Sequence, residues 1–152
     1  MDVILWRHAH AEEGEPDEDR VLTPAGRKQA MRMGAWLDRS LPSGCKILCS
    51  PTARTLQTVE ALGRKFKTLP ELGPYASPED VLQILDWPEG RGPVLLVGHQ
   101  PWMGQLASLI LTGVADYWTV KKSNAWWIAS RDREEGNAVY LKAVMAPEFF
   151  LD

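Results

Sequence analysis

Short runs of aliphatic and β-branched residues alternate in this chain with longer segments that have the periodicity of a helix. The pattern occurs three times: residues 3–6 precede a helical segment at 24–39, residues 46–49 precede one at 51–66, and residues 94–97 precede one at 101–112. This order is typical of βαβ units, in which parallel strands form a sheet and the connecting helices cover it. We therefore predict an α/β fold of three layers, with a mostly parallel central sheet flanked by helices.

A proline follows a polar residue at the start of each predicted helix. Proline suits the first helical turn because its ring fixes a helical φ and its missing N–H is not needed there. A preceding Ser or Thr can also accept a hydrogen bond from a free backbone N–H of that turn. The pairs are Thr23-Pro24, Ser50-Pro51, Ser77-Pro78 and Gln100-Pro101. They predict a fourth helix, which begins near residue 78.

Beyond Gly113 the pattern changes to two short strands, at residues 125–130 and 138–144. Glu135-Gly136-Asn137 lies between them and is typical of a tight turn, so we predict a C-terminal antiparallel hairpin on the sheet. No internal repeat, low-complexity segment or linker interrupts the chain. We therefore expect one domain over residues 1–152.

The charge balance and the lack of long apolar runs narrow the classes of partner. The chain has 152 residues, with 17 Lys and Arg against 20 Asp and Glu and a net charge of -3. It has no overall positive field, so we expect neither nucleic acid nor a membrane surface as partner. No apolar run approaches the roughly 20 residues of a membrane-spanning helix, and the N-terminal residues lack the pattern of a secretory signal. We expect a cytoplasmic protein, and the sequence leaves its oligomeric state open.

Charged and imidazole side chains follow three of the predicted strands. Arg7 and His8 come directly after the first strand, Arg54 comes shortly after the second, and His99 comes shortly after the third of these strands. The carboxyl ends of parallel strands meet at one edge of the sheet, so we expect these side chains to lie together. A guanidinium binds phosphate oxygens through paired donors, and an imidazole can act as nucleophile, acid or base near neutral pH. The sequence thus predicts a phosphate-binding pocket.

Four segments resemble motifs of the histidine phosphatase superfamily, which is also called phosphoglycerate mutase-like. Residues 5–9, Leu-Trp-Arg-His-Ala, resemble its opening Arg-His-Gly motif, and residues 50–58 resemble its Ser-Pro-x-x-Arg-x-x-Gln-Thr segment. Residues 97–101 resemble its second histidine motif, and residues 20–26 are similar to its Leu-Thr-x-x-Gly segment. Order and spacing match along nearly the whole chain. The short length and the Leu-Pro-Glu-Leu at residues 69–72 most resemble the compact SixA-type phosphohistidine phosphatases.

This resemblance implies a phosphatase that works in two steps. His8 attacks phosphorus and becomes a phosphohistidine, so its ring must be neutral, with the hydrogen of its other nitrogen held by a neighbour such as a backbone carbonyl. By the same resemblance, Arg7, Arg54 and His99 surround the transferred group and stabilise its charge, and Arg20 adds a further contact. No metal or other cofactor is implied, because these side chains supply the positive field.

The chain departs from the family pattern beside the first histidine. Ala9 stands where glycine is usual, which costs little unless the backbone needs a positive φ or lies against the phosphate. His10 stands where Asp or Glu is common and forms a His-x-His pair with His8. We expect no metal at this pair, because a metal-bound His8 could not attack phosphorus.

The proton donor to the leaving group is not obvious from the sequence. Some relatives use an Asp directly after the second histidine, but here Gln100 follows His99. Glu71 is the first candidate. It lies near the end of a further short strand, the third in chain order. His10 is the second candidate. The lack of a strong acid favours a phosphorylated imidazole as substrate, because imidazole is a far weaker base than an alkoxide when it leaves.

Three functions remain open, and the first is favoured: a phosphatase for phosphohistidine in a protein, a small-molecule phosphomonoesterase of the same superfamily, and a non-catalytic phosphate-binding module. A module that only bound phosphate would not need an attacking histidine. Six carboxylates lie in residues 12–19. If this segment lines the pocket mouth, it repels small polyanions and favours a protein segment that carries one phosphate.

Overall fold

The computed structural model describes residues 1–131, 136 and 138–150. Six strands lie in this part of the chain: β1 (Asp2–Arg7), β2 (Lys46–Cys49), β3 (Lys67–Thr68), β4 (Val94–Gly98), β5 (Ala125–Arg131) and β6 (Ala138–Met145). The helices described are α1 (Pro24–Ser40), α2 (Ala53–Glu60), α3 (Pro78–Leu85) and α4 (Trp102–Thr112). Short 3-10 turns cover Asp17–Asp19, Pro70–Leu72 and Pro147–Phe149.

The strands form one sheet in the order β3-β2-β4-β1-β5-β6. Strands β1 to β4 run parallel, whereas β5 is antiparallel to β1 and β6 is antiparallel to β5. The predicted parallel sheet with an antiparallel C-terminal hairpin is therefore confirmed. In the register, Arg7 lies beside Gly98 and Cys49 lies beside Val97. Strands β1, β2 and β4 thus end side by side, and the segments that follow them start from one edge of the sheet.

The core has two halves because successive side chains of a strand point to opposite faces of the sheet. Val3 and Leu5 of β1 pack in one cluster with residues of α3 and α4. Ile4 and Trp6 of the same strand pack in the other, with residues of α1 and α2. Helices therefore cover both faces of the sheet, and the three predicted layers are observed.

The helix starts follow the predicted pairs closely. Thr23 accepts a hydrogen bond from the N–H of Gly26 at the start of α1, and Ser77 accepts one from Asp80 at the start of α3. Helix α4 begins at Trp102, directly after Pro101 of the fourth predicted pair.

Helix α2 is shorter than predicted at both ends. Thr52, and not Ser50, provides its N-terminal cap by accepting the N–H of Thr55. Ser50 does not serve as the cap because its hydroxyl lies 2.7 Å from Nε2 of His99. The helix ends at Glu60 and not near residue 66, and the chain turns at Gly63, whose φ is +74.

The hairpin follows the predicted boundaries, and each strand extends one residue further than expected. Glu135 and Asn137 of the predicted turn lie outside the described residues, and Gly136 between them has a φ of 109. Within the part of the chain described, no helix combines the length and the hydropathy needed to cross a lipid bilayer.

Candidate active site

A cavity of about 420 Å³ opens at the carboxyl ends of β1, β2 and β4. It contains all five residues for which the sequence predicted a phosphate contact or a catalytic role on phosphate: Arg7, His8, Arg20, Arg54 and His99. The other residues that line it are Ala11, Glu13, Gly14, Glu15, Asp17, Gln100 and Lys122. The parallel arrangement of three strands thus brings distant segments together, as expected for this edge of an α/β sheet.

The ring of His8 is buried and held in one tautomer. Its Nδ1 lies 2.8 Å from the carbonyl oxygen of Ala9. A carbonyl only accepts hydrogen bonds, so Nδ1 carries the hydrogen and Nε2 keeps a free lone pair. The backbone is also fixed, because the N–H of His8 donates to Gly98 and its carbonyl accepts from Ser123. The expected neutral imidazole, which donates its ring hydrogen to a backbone carbonyl, is the arrangement observed.

The surroundings of His8 keep its ring uncharged. Burial lowers its pKa to about 3, and the positive charges of Arg7, Arg54 and Lys122 act in the same direction, although the hydrogen bond to Ala9 opposes them. A neutral ring with a lone pair on Nε2 is the form that can attack phosphorus at physiological pH.

His99 is the second buried imidazole of the pocket, with its ring centroid 5.4 Å from that of His8. Burial lowers its pKa to about 2, with further lowering by His8, Arg54 and Arg7 and an opposing effect of Asp17. Its Nε2 contacts the Ser50 hydroxyl, whereas its buried Nδ1 has no hydrogen-bond partner within the described residues. When Ser50 donates to Nε2, the ring hydrogen lies on Nδ1, which is then free to donate to a phosphate oxygen.

Two guanidinium groups lie close together without a full set of partners. Arg7 donates to the carbonyl of Val120 at 3.0 Å, and the Nε atoms of both Arg7 and Arg54 are buried and unpaired in the part of the chain described. Burial and the charge of Arg54 both lower the pKa of Arg7. Neighbouring cations with unused donors form a site whose electrostatics favour a dianion such as a phosphoryl group.

Asp17 belongs to this site, and the sequence reasoning missed it. Arg54 donates to its carbonyl oxygen at 2.9 Å and to its Oδ2 at 3.0 Å, and Arg20 donates to its Oδ1 at 3.0 Å. Burial opposes ionisation, but these two arginines lower the pKa of Asp17 overall. Asp17 therefore holds Arg54 in place. The only local signal was the three-residue spacing between Asp17 and Arg20. A 3-10 turn brings side chains at this spacing into contact.

The two candidate proton donors do not line the pocket. His10 is exposed, with its Nδ1 2.9 Å from the hydroxyl of Thr23. Glu71 is exposed on the Pro70–Leu72 turn and lines a neighbouring cavity. The structure thus gives neither residue a position from which to protonate a leaving group in this pocket, and their roles stay predictions.

The segments beside His8 explain two features of the motifs. Ala9 is fully buried, its N–H donates to Thr58, and its φ is not positive, so the backbone here does not need glycine. At Gly26, by contrast, a Cβ would overlap the carbonyl of His10. The glycine of the Leu-Thr-x-x-Gly segment is therefore required by a close approach of two backbones.

The two histidines of the His-x-His pair lie in different surroundings. Among the residues described, no group of three or more His, Cys, Asp or Glu side chains is placed to hold a metal ion. His8 lines the pocket, whereas His10 contacts Thr23 at the surface.

Known proteins show which family has this arrangement. The model of the histidine phosphatase superfamily (branch 1) matches residues 3–74. A phosphohistidine phosphatase SixA homolog of Haemophilus influenzae is 31% identical over 124 residues, which are 71% of this chain and 76% of the relative. The chain belongs to the histidine phosphatase superfamily, in its SixA-type branch.

A second relative agrees with this membership, and a solved structure has the same fold. The phosphohistidine phosphatase SixA of Escherichia coli is 32% identical over 123 residues, which are 74% of this chain and 76% of the relative. A structure of the protein histidine phosphatase SixA complexed with tungstate superposes with a TM-score of 0.75 at 24% identity and covers 98% of this chain and 99% of that one. The family predicted from the motifs and the fold class predicted from the order of strands and helices are therefore confirmed.

The burial of His8 and His99 predicts that neither ring binds a proton near neutral pH. We expect the ring resonances of His8 and His99 to keep the shifts of neutral imidazole between pH 8 and about pH 4.5, because both pKa values lie far below the ordinary 6.5. The unfolded chain binds protons at these rings below pH 6.5 and the folded chain does not. The free energy of unfolding therefore falls as the pH is lowered from 6.5.

Nuclear magnetic resonance titration of ring-labelled protein measures both rings, and the same titration in urea gives the unfolded reference near 6.5. A midpoint near 6.5 for either ring in the folded protein contradicts the neutral state that we assign to it.

Proposed function

We propose that this protein is a metal-independent phosphatase that forms a covalent phosphohistidine on His8 and removes phosphate from phosphohistidine in another protein. One observation carries the proposal: a buried, neutral His8, with Nδ1 held by the Ala9 carbonyl, lies in a pocket with two arginines whose buried Nε atoms have no partner among the described residues. That combination provides a nucleophile and an oxyanion site in the same small cavity.

In the first step, Nε2 of His8 forms a bond to phosphorus while the bond from phosphorus to the substrate imidazole breaks. The leaving imidazole takes a proton from solvent. Arg7, Arg54 and Nδ1 of His99 donate to the phosphoryl oxygens, where charge concentrates in the transition state. These groups are fixed before the substrate arrives, so little reorganisation is needed during the reaction.

In the second step, water attacks the phosphorus of phospho-His8 from the open side of the pocket. The bond from phosphorus to Nε2 breaks, and phosphate leaves with the elements of water. His8 returns to its neutral form with the hydrogen still on Nδ1, where the Ala9 carbonyl holds it. Both steps thus use only side chains of the pocket, the substrate and water.

Two features of the pocket support a phosphohistidine in a protein over a small phosphate ester. Glu13, Glu15 and Asp17 line the cavity beside the arginines and oppose the entry of a second anionic group. The two candidate acids, Glu71 and His10, do not line it, and an imidazole leaving group has the least need of such an acid. The Haemophilus influenzae and Escherichia coli relatives are named for phosphohistidine hydrolysis.

The test compares phosphate release from a histidine-phosphorylated protein and from p-nitrophenyl phosphate, with EDTA present in both assays. We expect fast release from the phosphoprotein and little from the ester. The reverse preference supports the small-molecule phosphomonoesterase, and binding without release from either substrate supports the phosphate-binding module. Loss of activity in EDTA, restored by a divalent metal, contradicts a metal-independent reaction.

A further inference from the structure

A second cavity, of about 500 Å³, lies beside the active-site pocket and is not used by the chemistry above. We name it the flanking groove. Its walls include Pro51, Pro70, Pro74 and Tyr75, and the carboxylates Glu18 and Glu71 also line it. We infer that this groove binds the segment of the substrate protein next to the phosphohistidine, through one apolar and one basic side chain. This inference rests on the proposed function.

The flanking groove and the active-site pocket are lined by residues that are neighbours in the chain. Glu18 of the groove follows Asp17 of the pocket in one 3-10 turn, and Thr52 of the groove caps the helix that carries Arg54. Asp17 and Arg54 are joined by two hydrogen bonds. A chain whose phosphoryl group lies in the pocket therefore has its flanking residues within reach of the groove.

The apolar part of the groove is formed by prolines and an exposed tyrosine. Tyr75 is 97% exposed, the highest fraction among the large hydrophobic side chains described. Three prolines lie in the same lining, and their fixed φ angles limit the conformational entropy that the groove loses on binding. An exposed tyrosine on such a surface is a typical anchor for a protein partner, because it buries a large area at low entropic cost.

The charge of the groove favours a basic residue. The carboxylates of Glu18 and Glu71 are both exposed, and no lysine or arginine is among the residues that line the groove. The active-site pocket holds three arginines and a lysine beside its three carboxylates, so the groove is the more acidic of the two cavities. A substrate segment with a phosphohistidine, a neighbouring aliphatic residue and a neighbouring Lys or Arg is complementary to both.

Synthetic peptides test this complementarity directly. One peptide carries a phosphohistidine with Leu and Lys within one helical turn on either side, and its matched control has Ser in place of every Leu and Lys. Free phosphohistidine is the third substrate, because it reaches the pocket but not the groove. We expect wild-type enzyme to prefer the Leu and Lys peptide through a lower KM.

Tyr75→Ala is expected to lower kcat/KM for the Leu and Lys peptide about tenfold, the scale of losing one interface anchor. Its activity on free phosphohistidine should not change, and its preference between the two peptides should largely disappear. The matched control is Tyr140→Ala. Tyr140 pairs with Ala129, which pairs with Asp2 at the start of β1, so it lies at the opposite edge of the sheet.

Glu71→Lys tests the electrostatic part, with Glu89→Lys as its control in the loop before β4. We expect the first change alone to raise KM for the Leu and Lys peptide, and more strongly at low salt. Unchanged discrimination between the peptides in Tyr75→Ala overturns the groove while leaving the proposed function intact. If Glu71→Lys instead lowers kcat by the same factor for the Leu and Lys peptide and for free phosphohistidine, Glu71 acts in the chemistry and not in docking. Wild-type enzyme that hydrolyses none of the three substrates contradicts the proposed function itself.

Discussion

Replacing His8 with alanine is expected to lower kcat by at least about four orders of magnitude, the scale seen when an enzyme loses its nucleophile. Alanine has no atom that can bond to phosphorus, and none of the other side chains of the pocket replaces the His8 lone pair: the His99 ring is held by Ser50 and the guanidinium groups are charged. Steady-state phosphate release from a phosphohistidine substrate measures the loss.

The same change also removes the covalent intermediate. Rapid quenching of wild-type enzyme in alkali should trap a phosphoramidate on His8, which acid then hydrolyses, whereas His8→Ala should trap none. A circular dichroism spectrum and a thermal unfolding curve check that the variant folds. Turnover by folded His8→Ala near the wild-type rate contradicts covalent catalysis through this residue.

Replacing Arg54 with alanine is expected to lower kcat by about two to three orders of magnitude, the typical cost of one preorganised contact to developing charge. The change removes a buried guanidinium from the oxyanion site. It also leaves the Asp17 carboxylate without the partner that donates to its backbone oxygen and to Oδ2. Asp17 keeps Arg20 as a partner but loses one of the two positive charges that offset it. Its carboxylate then repels the phosphoryl group more strongly, so KM should rise as well.

Two further variants separate geometry from charge. Arg54→Lys keeps the positive charge but not the planar fork, and we expect it to recover only part of the activity. Arg39→Ala removes an exposed arginine from the last turn of α1 and should leave kcat and KM unchanged. Equal kinetics for Arg54→Ala and Arg39→Ala contradict a role of Arg54 in binding the phosphoryl group.

Local signals were sufficient for most of the fold and for the central residues of the site. The apolar runs predicted β1, β2 and β4, and the caps at Thr23 and Ser77 predicted the starts of α1 and α3. The convergence of Arg7, His8, Arg54 and His99 followed from the rule that parallel strands end at one edge. Each of these inferences needs only residues that are close together in sequence, or a rule of topology.

Contacts between distant segments account for the features that were missed. Ser50 was predicted to cap α2, but its hydroxyl contacts His99, which is 49 positions away in the chain. Asp17 was one of six acidic residues in a loop until the fold placed it on Arg54, 37 positions away. The three-residue spacing to Arg20 was the only local pattern that set it apart from its acidic neighbours.

The amino-acid sequence by itself determined the layer architecture, the family and which side chains meet at the edge of the sheet. Periodicity, capping and the residues that follow a strand act over a few positions, where backbone geometry links sequence to structure directly. Only the tertiary structure decided which nitrogen of His8 is free, that Asp17 holds Arg54, and that Glu71 lies in the flanking groove and not in the pocket. These features depend on which surfaces pack together, because hydrogen-bond partners and burial are set by the whole fold.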